Sequence, residues 1–238
     1  MKIKKLGMII MAISIAALTS ACQKINAVNV KIADVVCEAL EEKYDEKFEA
    51  DKIGDRYGTG RAKLILHPVD NEDIVFEAVI YNDTKEVKDT YLGRKMAYKW
   101  NKDLEKMGKE AGLEIKVQAV AGAYGDKDEE IKDYTPGEFF RMHEYYGAHA
   151  IVAVKTDYEG LIPEQLEKFE EMAQQLEREL DYPTGLEIYF YDETGYKKAC
   201  ETIEKYSSVT NSYMKEADPY KGIIVFSEDG VVTNNIVD

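Results

Sequence analysis

The chain of 238 residues has few of the residues that would place it in a special class. Five prolines and 16 glycines exclude collagen-like and proline-rich chains, and three cysteines are too few for a disulfide scaffold of this length. Basic residues are short as well, with 31 Lys and Arg against 46 Asp and Glu, a formal net charge of −15. Phosphate contact needs a cationic footprint, so no nucleic-acid partner is expected. Beyond residue 22 the only serines are Ser207, Ser208, Ser212 and Ser227, and none sits in a G-x-S-x-G elbow. What is present, 45% hydrophobic and 11% aromatic residues, suffices to bury a core and excludes a disordered chain.

The amino terminus is the most informative segment. Lys2, Lys4 and Lys5 precede an uncharged stretch from Leu6 to Ala21, the layout of a secretory signal. As a helix those residues would reach only ~24 Å, against about 30 Å of bilayer hydrocarbon, so a retained span is disfavoured. The stretch closes on Leu18-Thr19-Ser20-Ala21-Cys22, small residues directly before a cysteine. This resembles the bacterial lipoprotein cleavage box, with Thr19 where an aliphatic residue is usual. The resemblance implies that Cys22 becomes the first residue and carries the lipid, with no other cofactor. Two acyl chains, at ~0.8 kcal/mol per buried CH₂, would hold the protein to the bilayer. Together with high Lys and Tyr usage and little Arg, the segment resembles the small acidic lipoproteins of low-GC Gram-positive bacteria. That resemblance covers residues 1–22 and supplies no catalytic residue.

Residues 1–21 therefore read as a signal peptide and 22–29 as a lipidated tether. Removing three lysines leaves 28 basic against 46 acidic residues, or −18. Residues 30–121 read as one domain of order α-β-β-α-β. Its elements are a helix over Ile32 to Tyr44, a hairpin of Arg61 to His67 with Asp73 to Tyr81, a helix capped by Asp89 or Thr90 and closed by Gly112, and a strand from Leu113 to Val120. An extra strand near Phe48 is also suggested. Residues 122–137 combine glycines, charges and a proline and read as a linker. Residues 138–238 read as a second domain: a strand from Ala150 to Lys155, a helix from Pro163 to Leu180, a strand from Leu186 to Tyr191, a helix from about Tyr196 to Tyr206, and a hairpin turned by Asp229-Gly230. The fold class expected is α+β, two small antiparallel or mixed sheets covered by amphipathic helices.

Chemistry-bearing residues are sparse. Cys37 and Cys200 fall on apolar helix stripes, which fits buried thiols and leaves a disulfide open. His143 and His149 are six apart with Gly147 between, against the four that a zinc-peptidase helix requires, and His67 stands alone. Asp126, Asp128 and Glu130 alternate like calcium ligands, but Ile131 and Gly137 occupy the positions where an EF-hand needs Gly and Glu. No metal site is expected. The excess is of tyrosine: Tyr145 and Tyr146 adjoin, and Tyr189 and Tyr191 share a strand face, a chemistry suited to contact with a protein or glycan. Leu186, Ile188 and Phe190 should face the core, leaving Tyr189 and Tyr191 outward or against a second layer.

The expectation is thus a non-enzymatic, membrane-anchored lipoprotein on the extracytoplasmic face, binding a protein or envelope partner. The alternative is an envelope hydrolase with a carboxylate pair roughly 5 to 9 Å apart.

Overall fold

Hydrophobic alternation sets the two sheets of this protein, and each sheet belongs to a different compact unit. The computed structural model describes residues 31–54, 60–120, 134–142, 148–205 and 209–237. The first unit comprises Glu77–Lys88 and the described residues up to Glu72. The second comprises Asp73–Phe76 and the described residues from Asp89 onward.

In the first unit, helix α1 (31–44) buries Val36, Leu40 and Tyr44, one residue per turn. It ends where Asp45 takes a left-handed φ of 58° and returns its N–H to the Glu41 carbonyl at 2.8 Å. Strands β1 (Phe48–Ile53), β2 (Arg61–Pro68), β3 (Phe76–Tyr81) and β4 (Val87–Asp89) form an antiparallel sheet in that order. Ala62, Leu64 and Leu66 are buried while the residues between them face outward, the period-two pattern of a one-sided strand.

The second unit begins its helical part with α2 (Tyr91–Glu110). The Asp89 carboxylate accepts the Tyr91 N–H at 2.9 Å, and Gly112, at φ 72°, closes the helix. Tyr91, Leu92, Met96, Trp100 and Leu104 form its buried stripe. After β5 (Ile115–Val120) comes a short helix, α3 (Pro136–Met142). Its start is a capping box: Glu138 accepts the Thr135 N–H at 2.9 Å, while Thr135 Oγ1 accepts the Glu138 N–H at 3.3 Å. Then follow β6 (Ala148–Lys155), α4 (Ile162–Leu180), β7 (Thr184–Tyr191), α5 (Glu193–Lys205), α6 (Asn211–Lys215), β8 (Lys221–Glu228) and β9 (Val231–Ile236). The sheet order is β5-β6-β7-β8-β9, antiparallel except for the β6–β7 pair that α4 connects.

The fold class is the α+β class expected, with one four-stranded antiparallel sheet and one five-stranded mixed sheet. The boundary differs from the sequence reading. Val117 of β5 pairs with Val152 of β6 in one ladder, so the segment read as a linker joins two strands of a single sheet. Helix α2 and β5 therefore belong with the carboxyl-terminal elements, because antiparallel pairing joins strands irrespective of the chain length between them. Residues 122–133 of that segment, and with them Asp126 and Asp128, lie outside the described residues. Among the described residues no helix is long and apolar enough to cross a membrane.

Both faces of the five-stranded sheet are packed. One presents Val152, Val154, Leu186, Ile188 and Phe190, and the Phe190 ring meets Phe169 of α4 edge-on at 6.2 Å. The other presents Ile151, Ala153, Tyr189 and Tyr191 to Ala199 and Ile203 of α5 and Met214 of α6.

Candidate functional sites on the five-stranded sheet

Two groups of polar residues in the second unit have the geometry to meet a ligand or partner. The first lines an open cleft of about 410 Å³ at the carboxyl end of β6, where α4 begins. Crevices outside the carboxyl ends of parallel strands are the usual ligand location in sheets built from a strand-helix-strand crossover. Glu114, Lys155, Asp157, Glu164, Gln165 and Lys168 supply its polar lining. Lys155 Nζ is held by Glu114 at 3.1 Å and by Glu193 at 2.5 Å, and Lys168 meets Glu164 at 3.4 Å. Gln165 ties the helix start to the strand end, its Oε1 accepting the Thr156 hydroxyl at 2.9 Å. Hydrogen bonds from Lys155 and then Lys197 hold the Glu193 carboxyl down at about 2, and Glu193 first and then Glu114 raise Lys155 above the ordinary lysine value. Both lysines of the cleft are thus paired with glutamates.

The second group runs across the tyrosine-bearing face. Register places His149 of β6 beside Gly185 of β7, and Glu187 follows two residues along on the same face. His149 Nε2 lies 3.5 Å from Glu187 Oε2, while the Tyr189 hydroxyl donates to Glu187 Oε1. Gly185 makes room for the imidazole, since a Cβ there would lie 3.0 Å from His149 Nδ1. Burial pushes the Glu187 carboxyl upward, but the hydrogen bonds from His149 and Tyr189, with the charge of Lys215, outweigh it and leave the group below the ordinary value. Burial first and then Glu187 raise the Tyr189 phenol, so it stays protonated as a donor. The result is a Tyr–Glu–His chain whose imidazole end is 36% exposed and whose tyrosine end is closed.

The structure corrects one sequence reading directly. Tyr189 and Tyr191 are each 0% exposed and stack at 6.4 Å under α5 and α6, so neither ring offers partner contact. The Tyr191 hydroxyl donates to the Met214 carbonyl at 2.8 Å, which satisfies its polar tip inside the layer. The other tyrosines named from the sequence, Tyr145 and Tyr146, lie outside the described residues, as do His143 and Cys22. His67 sits in the first unit with Nδ1 3.1 Å from Asp51.

Cys37 and Cys200 are free and half-buried. Burial raises both thiols; at Cys37 the acids Asp34, Glu49 and Glu41 add to it, and at Cys200 burial outweighs the Tyr196 hydrogen bond. A thiol held in its protonated form is a poor nucleophile, in keeping with the packing role read from the sequence. Among the described residues no group of three metal-ligating side chains is assembled.

No protein-family model matches the chain, and no curated protein matches it. Among solved structures it is similar to a DUF5037 family protein from Ruminococcus gnavus. The TM-score is 0.56 at 16% identity, over 86% of this chain and 95% of that one. A DUF1672 family protein from Staphylococcus aureus gives a TM-score of 0.35 at 15% identity, over 67% of this chain and 79% of that one. At these identities the likeness to the first is one of fold.

Proposed function

We propose that this chain is a lipid-anchored lipoprotein of the extracytoplasmic membrane face, whose folded part binds a protein or cell-envelope partner without catalysing a reaction. The observation that carries the reading is the run from Lys2 to Cys22: three lysines, 16 uncharged residues, then small residues and a cysteine. An acidic body is repelled by anionic headgroups, so the lipid on Cys22 is what holds it at the bilayer. The cleft at the end of β6 supports binding over catalysis. Two of its three carboxylates, Glu114 and Glu164, are each held in an ion pair with a lysine rather than left as an unpaired acid pair.

The competing envelope-hydrolase reading would assign the reaction to carboxylates of this cleft. In-cell photo-crosslinking from position 157 separates the two. A discrete higher-mass adduct is expected, with no release of sugar or peptide from envelope preparations. Release that is lost in Glu114→Gln or Glu164→Gln would replace the binding reading with the hydrolase.

A further inference from the structure

Lysine and arginine side chains are apolar along the stem and charged at the tip, so a site for one needs an apolar wall and a carboxylate. The cleft at the end of β6 has both. Gly112 and Leu113, which follow α2, and Leu161, directly before α4, form its apolar lining, and Asp157 lies on the turn leading out of β6.

Asp157 differs from every other polar side chain of that lining. Lys155 is held by Glu114 and Glu193, and Lys168 by Glu164. The Gln165 amide accepts from Thr156 and donates to the Lys155 carbonyl at 3.3 Å. Among the described residues the Asp157 carboxylate has no partner. The backbone on either side of it is pinned: the Thr156 N–H bonds the Tyr191 carbonyl at 2.7 Å, and the Leu161 N–H bonds the Tyr158 carbonyl at 3.1 Å. A short side chain on a fixed backbone loses little freedom when it pairs.

These contacts also decide the sign of the ligand. An anion would have to displace glutamates from Lys155 or Lys168 and would then face Asp157. A neutral polar group would meet side chains already engaged. A cation meets a free carboxylate, and the excess of 46 acidic over 31 basic residues draws it in from a distance.

We propose that the cleft receives a lysine or arginine side chain of a partner protein, its stem across Leu113 and Leu161 and its charged head on Asp157. The inference rests on the binding reading above and commits it to a basic protein segment. A volume of about 410 Å³ is at the small end for ligand clefts and suits one long side chain rather than a folded element.

The test titrates the isotope-labelled full chain, in nonionic detergent, with the Nα-acetyl amides of lysine, arginine, norleucine and glutamate. Norleucine keeps the stem without the charged head. The lysine and arginine probes are expected to shift the Leu113 and Leu161 amide resonances with a Kd on the order of 1 mM, weakening as salt is raised. The norleucine and glutamate probes are expected to leave them in place. Asp157→Asn should weaken lysine binding roughly fivefold, and Asp157→Lys should abolish it. No shift from either cationic probe at tens of millimolar, equal binding of lysine and norleucine, or lysine binding unchanged in Asp157→Asn overturns the proposal. Photo-crosslinking from position 161 leaves Asp157 in place, and an adduct to glycan or lipid there would overturn it as well. A protein adduct from position 157 beside any of these results keeps partner binding and removes the basic segment, whereas no adduct removes both.

Discussion

The two faces of β7 share one strand and are both packed, yet they are built from different chemistry. Leu186, Ile188 and Phe190 meet α4 through apolar contact, whereas on the other face Tyr191 donates to the Met214 carbonyl of α6 and Tyr189 donates to Glu187 within the sheet. The difference teaches where this fold tolerates change. The apolar face depends on volume, and the polar face depends on satisfied donors and acceptors and so responds to pH.

The largest effect is expected on the apolar face. Phe190→Ala empties space against Phe169 and should cost about 3–5 kcal/mol in denaturant unfolding; a loss below about 1 kcal/mol would show that the layer collapses to fill it. On the other face Tyr191→Phe keeps the ring and removes only the hydroxyl, leaving the Met214 carbonyl without its donor. A loss of about 1–2 kcal/mol is expected there, and none would mean that the carbonyl finds another donor.

Acidification sharpens the contrast further. The Glu187 carboxyl is held below its ordinary value near 4.5, so its contribution is full above that pH and is lost as pH falls through the lower folded value. Wild type should therefore lose more stability than Glu187→Gln on titration below about pH 4.5, and parallel curves would remove Glu187 from the account. The smallest change is Gly185→Ala. Its Cβ would press on His149 Nδ1 at 3.0 Å, turning the imidazole from Glu187 at a cost of under about 1 kcal/mol, read as a shifted His149 resonance.

Much of this architecture was legible in the sequence, because long helices and hairpins announce themselves locally. The stripe from Leu92 to Leu104 and the Gly112 stop marked α2, and Asp229-Gly230, both at positive φ, turned β8 into β9. Short elements were missed. Helix α3 carried its signal in Thr135-Pro136-Gly137-Glu138, a capping box with proline at the first helical position, but charged and glycine-rich neighbours masked it. For β7 the sequence left Tyr189 and Tyr191 outward or against a second layer, although its run of Leu, Ile, Tyr and Phe is what a strand buried on both faces looks like beside a parallel neighbour. The Tyr–Glu–His chain was not legible at all. His149 meets Glu187 through the register of two strands separated by α4, and no local pattern encodes that register.

The lipid anchor proposed at Cys22 carries the functional reading, and metabolic palmitate labelling of wild type beside Cys22→Ala tests it directly. Labelled wild type and an unlabelled variant are the predicted result. Equal labelling of both, or of neither, would contradict lipidation and with it the placement of this protein at the membrane.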